Sequence, residues 1–243
     1  MYPEICKIGP ITIYSYGLLM AAAFLISSAL AVQQAKRKGF DPESIFNLSF
    51  IAFICGVAGA RILYVAENAP YYLKNPLEIF MLQRGGLSWY GGLIIGALCG
   101  VIFLKKKKLS IYGILDLIVP FVALGQAIGR VGCLLNGCCY GKVSRFGIYF
   151  NIYDSVLIPT QIYSSLALLL IFIILRRLQE RPHSRGAVFF TYLVLYSAQR
   201  FFIEFLRADN QIIIFGLTLF QLISIAIFLS AGYKLISMRR PGK

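Results

Sequence analysis

The stretch Gly129-Arg-Val-Gly-Cys-Leu-Leu-Asn-Gly-Cys-Cys-Tyr-Gly-Lys142 joins four glycines, an arginine and three cysteines at the end of an apolar segment. Glycine lets backbone N–H groups approach an anion closely, and the Arg130 guanidinium offers a two-pronged donor to a phosphate. A phosphate held there with its apolar portion in lipid points to a phospholipid as the ligand class. A second set, Tyr196, Arg200, Glu204 and Arg207, recurs at intervals of four, four and three and therefore shares one helix face. A charge at mid-membrane depth costs at least ~2.5 kcal/mol, so this stripe must face protein, water or a ligand. Arg200 with Glu204 could be an ion pair that only locks packing. One glutamate cannot neutralise Arg130, Arg200 and Arg207 together, and the surplus positive charge argues for an anionic ligand.

Of six cysteines, Cys55 and Cys99 read as apolar packing, whereas Cys133, Cys138 and Cys139 cluster in the glycine-rich stretch. Four readings stand for that cluster: a disulfide, a metal site, a reactive thiol, or small residues fitting a tight turn. Zinc is not expected, because the sole histidine, His183, falls on the opposite side of the membrane and there is no Cys-x-x-Cys pair. Asp116, near the start of its helix, is expected to satisfy first-turn N–H groups, and Pro120 to kink the same helix.

These residues must be positioned by membrane helices. Of the 243 residues, 58% are hydrophobic and 14% charged, and mean hydropathy is +0.74. Seven segments are long and apolar enough to cross a bilayer: 12–33, 44–66, 87–104, 111–130, 159–175, 186–206 and 215–236. Net charge is +14, but fifteen of the 24 Lys and Arg sit in short loops after the first, third, fifth and seventh segments. That is the positive-inside pattern rather than a nucleic-acid surface, and it places the N-terminus outside and the C-terminus inside. The first segment reads as a retained helix, with no basic region before it and no small-residue cleavage site after it. The expectation is an all-α polytopic membrane protein, one domain over 1–243, with its polar residues toward the outer leaflet. Between the second and third segments, residues 70–86 suit either a flat interfacial helix or an ordinary outer loop. Residues 131–158 carry alternating Phe146, Ile148 and Phe150, predicting a small extracytoplasmic cap with strand pairing.

An ordered set of motifs resembles the bacterial phosphatidylglycerol:prolipoprotein diacylglyceryl transferases over nearly the whole chain. They are Tyr14 to Leu19, Gly56 to Arg61, Gly85-Gly-Leu-Ser-Trp-Tyr-Gly-Gly92, the Gly129 to Gly141 stretch, Pro159-Thr-Gln-Ile-Tyr163, Arg200-Phe-Phe-Ile-Glu-Phe-Leu-Arg207 and Gly216 to Gln221. The resemblance implies transfer of the diacylglyceryl group of phosphatidylglycerol to the lipobox cysteine of a prolipoprotein signal peptide. A thioether forms and glycerol phosphate leaves, in the cytoplasmic (inner) membrane, and this implied chemistry requires neither a metal nor an organic cofactor, because the lipid itself carries the leaving group. It also implies catalytic roles for Arg130 and Arg200, which would stabilise the departing phosphate, and for Tyr90 and Tyr196. Tyr16, Arg61, Gly91, Gly92, Asn136, Gly141, Glu204 and Arg207 would bind substrate. Tyr90 occupies the place where much of the family has histidine, with a role as base or as hydrogen-bond donor. Cys133 and Cys138 stand where the family commonly has Asn and an acid, which leaves room for a paralogue with another acceptor. A transporter, or a scaffold that binds phospholipid without consuming it, are the other classes. Against a transporter, the charges gather at one face and no inverted repeat is visible.

Overall fold

The computed structural model describes residues 2–8, 11–81, 85–214 and 216–239. These are mostly helical: α1 (Ser15–Arg37), α2 (Pro42–Glu67), α3 (Ala69–Tyr72), α4 (Trp89–Lys106), α5 (Ile111–Asn136), α6 (Thr160–Glu180), α7 (Ala187–Glu204) and α8 (Leu219–Arg239). Three antiparallel hairpins accompany them: β1 (Glu4–Ile8) with β2 (Ile11–Tyr14), β3 (Val143–Phe150) with β4 (Ser155–Leu157), and β5 (Ile212–Ile214) with β6 (Leu217–Thr218).

All seven apolar segments are helical, and six (α1, α2, α4, α5, α6 and α8) are long and apolar enough to cross a membrane. The exception, α7, has 18 residues, but Tyr192, Tyr196, Ser197, Gln199, Arg200 and Glu204 dilute its apolar character. Three of the boundary shifts from the sequence expectation have a visible cause or bear on the site. The first segment's opening residues form β2, so α1 begins only at Ser15, whose backbone N–H and hydroxyl both donate to the Pro3 carbonyl at 2.9 and 3.1 Å. The last helix begins at Leu219, because Thr218 and Gln221 build a reciprocal cap: the Gln221 side chain accepts from the Thr218 N–H at 2.9 Å and the Thr218 hydroxyl from the Gln221 N–H at 3.3 Å. Phe215, the expected start, lies outside the described residues. The third difference, at the end of α5, bears on the site and is treated below.

Two groups of elements are compact, Met1–Leu30 with Leu115–Lys243, and Ala31–Ile114. In the second group α2 and α4 cross at very short range. A Cβ on Gly91 would lie 2.3 Å from the Gly59 carbonyl oxygen, and one on Gly59 would lie 2.6 Å from that of Gly91. Gly92 and Gly96 meet Gly56 and Ala52 similarly, so small residues let the two backbones touch, as in membrane helix pairs generally. Among the described residues of 70–86 the chain forms α3 and a 3₁₀ turn at Pro76–Phe80, not one continuous interfacial helix.

In the first group α6 and α7 pack on α5 around Val119, Ala123, Ala127, Leu168, Ile171, Leu175, Val188 and Tyr192, all buried. Polar ties cross this core: the Ser165 hydroxyl donates to the Ala127 carbonyl at 2.9 Å, and the Gln179 amide to those of Asp116 and Leu117. Asp116 does cap a helix, but the helix is α7. Its carboxylate accepts from the N–H groups of Gly186 at 2.5 Å and Phe189 at 2.8 Å. Where strand pairing was expected, β3 and β4 pair, with Phe150 fully buried.

Candidate active site

The glycine-rich stretch is not one turn, because α5 runs on to Asn136 and Arg130 lies inside the helix. Gly129 and Gly132 therefore commit their N–H groups to the helix ladder and serve a different purpose. A Cβ on Gly132 would touch Leu19 Cβ and the Tyr16 ring at 3.4 Å, and one on Gly125 would lie 2.9 Å from the Ser27 hydroxyl. Small residues thus seat α1 against α5 and place Tyr16 beside the end of α5.

The helix ends in a Schellman arrangement. Gly137 takes φ +73°, the Cys138 N–H donates to the Cys133 carbonyl and the Gly137 N–H to that of Leu134, both at 3.1 Å. Local chain geometry so folds Cys138 back over Cys133. Cys139, also left-handed at φ +63°, turns the chain again. Its carbonyl accepts from the Thr160 hydroxyl at 2.6 Å, and the Cys138 carbonyl from the Gln161 amide at 2.7 Å. All three cysteines are free thiols, and their sulfurs lie within 4.8 Å of one another. The Cys139 thiol is held below the usual thiol range, chiefly by hydrogen bonds from the Cys133 and Cys138 thiols, with the positive charges of Arg207 and Arg130 adding to the effect.

Gly141 stitches this turn to the segment after α7. It bridges Arg207 as an antiparallel pair, its N–H donates to Ile158 at 2.9 Å, and the Lys142 N–H donates to Leu206 at 2.9 Å. A side chain there would stand 2.7 Å from the Leu206 carbonyl oxygen and 2.8 Å from Ile158 Cβ. Asn136, the last residue of α5, hydrogen-bonds the Cys138 thiol.

The α7 stripe meets this turn. Glu204, its side chain fully buried, pairs with Arg200 at 2.9 Å and stands 4.0 Å from Arg207. Its other oxygen accepts from Asn210 at 2.6 Å and from the Thr218 hydroxyl at 2.9 Å. The Arg200 guanidinium also lies over the Phe220 ring, 4.5 Å from its centre. Sequence reasoning missed Asp209, which takes Arg207 in a two-pronged pair at 2.8 and 2.5 Å; its place two residues after Arg207 was the available signal. Three guanidiniums therefore face two carboxylates. Among the described residues Arg130 pairs with no carboxylate, and it lines a cavity of about 90 Å³ with Val131, Leu134, Gln161, Ile162 and Ser165. The surplus charge argued from the sequence thus persists as one guanidinium rather than two. Tyr196 stacks near Tyr192 at 5.6 Å, whose hydroxyl donates to Gln126. Neither Gln126 nor Tyr192 stood out in the sequence.

Four expected site residues belong to the other group of elements. Gly91 and Gly92 form the α2–α4 contact. Tyr90 follows Trp89 at the start of α4, their rings edge to face at 5.4 Å. Arg61, expected to bind substrate, is 6% exposed and spends its donors on carbonyls: Glu78 at 2.5 Å, Gly85 at 2.7 Å, Ile79 at 2.8 Å and Gly86 at 3.0 Å. Its face lies against Tyr72 and Tyr64 at 5.2 and 5.9 Å. It organises the loop that leads into Tyr90.

A family model described as prolipoprotein diacylglyceryl transferase matches residues 3–237. The chain belongs to the prolipoprotein diacylglyceryl transferase family. Similar relatives within it carry the name phosphatidylglycerol–prolipoprotein diacylglyceryl transferase. One from Clostridium tetani is 35% identical over 221 residues, covering 87% of each chain. One from Staphylococcus xylosus is 35% identical over 251 residues, 98% of this chain and 89% of the relative. One from Clostridioides difficile is 38% identical over 200 residues, 82% and 81%. A transferase of this family, the chain gathers Arg130, Arg200 and Arg207 with three thiols around the ends of α5 and α7.

Proposed function

We propose that this transferase moves the diacylglyceryl group of phosphatidylglycerol to the lipobox cysteine thiol of prolipoproteins, forming a thioether and releasing glycerol phosphate. The observation that carries the reading is Arg130, a guanidinium with no carboxylate partner among the described residues, set in a family of diacylglyceryl transferases. Breaking the glycerol C–O bond sends its electron pair to the phosphate, so charge builds on that oxygen. Preformed donors such as Arg130 and Arg200 stabilise this charge most when water is excluded. Glu204 holds Arg200 in place, and Asp209 holds Arg207. Tyr16 and Tyr196 offer hydroxyls to the lipid headgroup or thiol, and Asn136 and Gly141 shape the turn that carries Arg207. Tyr90, at the head of α4, takes the role of hydrogen-bond partner or base that the family resemblance implies for its position, with Gly91 and Gly92 fixing its helix and Arg61 its loop.

The whole chain acts as one membrane domain crossing seven times, α7 included, with the N-terminus outside and the C-terminus inside the cytoplasmic membrane. Basic loops after the first, third, fifth and seventh segments support this orientation. The site then opens to the outer leaflet, where an exported signal peptide arrives laterally through lipid. Its test is to incubate detergent-reconstituted protein with phosphatidylglycerol and a lipobox peptide and to weigh the peptide. A diacylglyceryl mass gain is expected on the cysteine peptide and not on its serine counterpart. Arg130→Ala should abolish the gain while leaving folded protein; wild-type transfer by that variant would remove the phosphate role.

A further inference from the structure

We propose that Cys133, Cys138 and Cys139 bind a zinc ion and leave its fourth coordination position to the thiol that is alkylated. The second half of this rests on the transferase reading above. Spacing alone argued against zinc here, since no histidine or Cys-x-x-Cys pair is nearby, but the fold supplies what spacing lacks. The Schellman turn returns Cys138 to Cys133, the left-handed Cys139 completes the set, and all three sulfurs lie within 4.8 Å of one another. Three thiolates bound at ~2.3 Å around a tetrahedral zinc stand ~3.8 Å apart, so metal binding needs contraction by at most about 1 Å. The scaffold is held from outside the turn, through Thr160 and Gln161 on the carbonyls of Cys139 and Cys138. These contacts fix the backbone of two ligands before any ion arrives.

Charge and donor count point the same way. Soft thiolates select zinc over hard cations, and three thiolates on a divalent ion leave one negative charge. The Arg207 guanidinium, which hydrogen-bonds Cys139, and Arg130 face that charge. Among the described residues no fourth His, Cys, Asp or Glu joins the group. Three protein ligands with the fourth place left to water or substrate is the pattern of catalytic rather than structural zinc.

The chemistry suits S-alkylation. The prolipoprotein thiol replaces the zinc-bound water, its proton leaves with solvent, and the sulfur is held as a thiolate at neutral pH. The thiolate then attacks the glycerol carbon bonded to the phosphate. The S–C bond forms, the C–O bond breaks with its electron pair going to phosphate, glycerol phosphate departs, and water returns to zinc as the thioether leaves. Arg130 and Arg200 would receive the leaving group.

Titration of the purified full chain in detergent with Co2+, a spectroscopic stand-in for zinc, should give one ion per chain with an intense thiolate-to-cobalt charge-transfer band. Lipobox cysteine peptide should shift the band and the serine peptide should not. Cys139→Ser should weaken Co2+ binding at least a hundredfold. In the unmutated protein Zn2+ should shield three thiols from maleimide, a readout that survives a misfolded variant. Absence of the band, or equal maleimide labelling with and without Zn2+, would overturn the site. Removing metal with a chelator should cut transfer at least tenfold, restored by Zn2+, with phosphatidylglycerol still bound. Full transfer by metal-free protein would overturn the thiol role. A normal cobalt band in protein that transfers no lipid under any metal loading would overturn the transferase reading instead and leave the metal site standing.

Discussion

Glu204 and Thr218, fourteen residues apart, are joined by a 2.9 Å hydrogen bond from the Thr218 hydroxyl to the carboxylate, which ties the end of α7 to the start of α8. The same carboxylate pairs with Arg200, so one side chain both joins two helices and fixes the guanidinium assigned to phosphate. Removing a partner from a buried ion pair costs about 3–5 kcal/mol, because the remaining charge is left uncompensated. Glu204→Ala should therefore lower the unfolding midpoint strongly in detergent. Glu204→Gln can keep bonds to Asn210 or Thr218 and should unfold closer to wild type, yet transfer at least tenfold more slowly in the peptide mass assay.

Asp116 should behave in the opposite way. Its carboxylate caps α7 through Gly186 and Phe189, at the end of that helix remote from Arg200. Loss of a helix cap costs about 1–2 kcal/mol. Asp116→Ala should lower stability by this order in thermal unfolding while transfer per folded molecule stays near wild type.

The glycines of α2 and α4 divide into intolerant and tolerant positions. Gly91→Ala would drive a methyl to 2.3 Å from the Gly59 oxygen, whereas at Gly92 the nearest atom is 3.2 Å away. Overpacking of the first kind costs about 1–3 kcal/mol. Gly91→Ala should be clearly less stable than Gly92→Ala when both are melted side by side in the same detergent.

Gly141→Ala should lose transfer, because its methyl would press on Leu206 and Ile158 and shift Arg207 away from Cys139. Gly17, inside α1 with nothing within 4 Å of where a methyl would stand, is the control. Gly17→Ala should retain full transfer and gain about 0.5–1 kcal/mol from helix propensity.

Apolar length and loop charge determined the seven helical segments and their expected sidedness from the sequence itself, because hydropathy and helix rise are local properties of the chain. The four-four spacing of Tyr196, Arg200 and Glu204 likewise put three of the expected residues on α7, whereas Arg207, expected on the same helix face, lies past the helix end in a bridge to Gly141; the order of motifs was enough to indicate the family. What tertiary structure decided was the employment of each polar group. Arg61 was expected to bind substrate, and which donors it commits to carbonyls 17 to 25 residues along the chain could be seen only in the fold. Asp116 serves a helix seventy residues away. Gly129 and Gly132 looked like an anion cradle and instead let α1 approach α5. The three cysteines were ambiguous in the sequence because whether their sulfurs converge depends on two left-handed backbone turns and on clamps from Thr160 and Gln161. Hydrogen-bond partners and thiol distances are set by long-range packing, which no local spacing encodes.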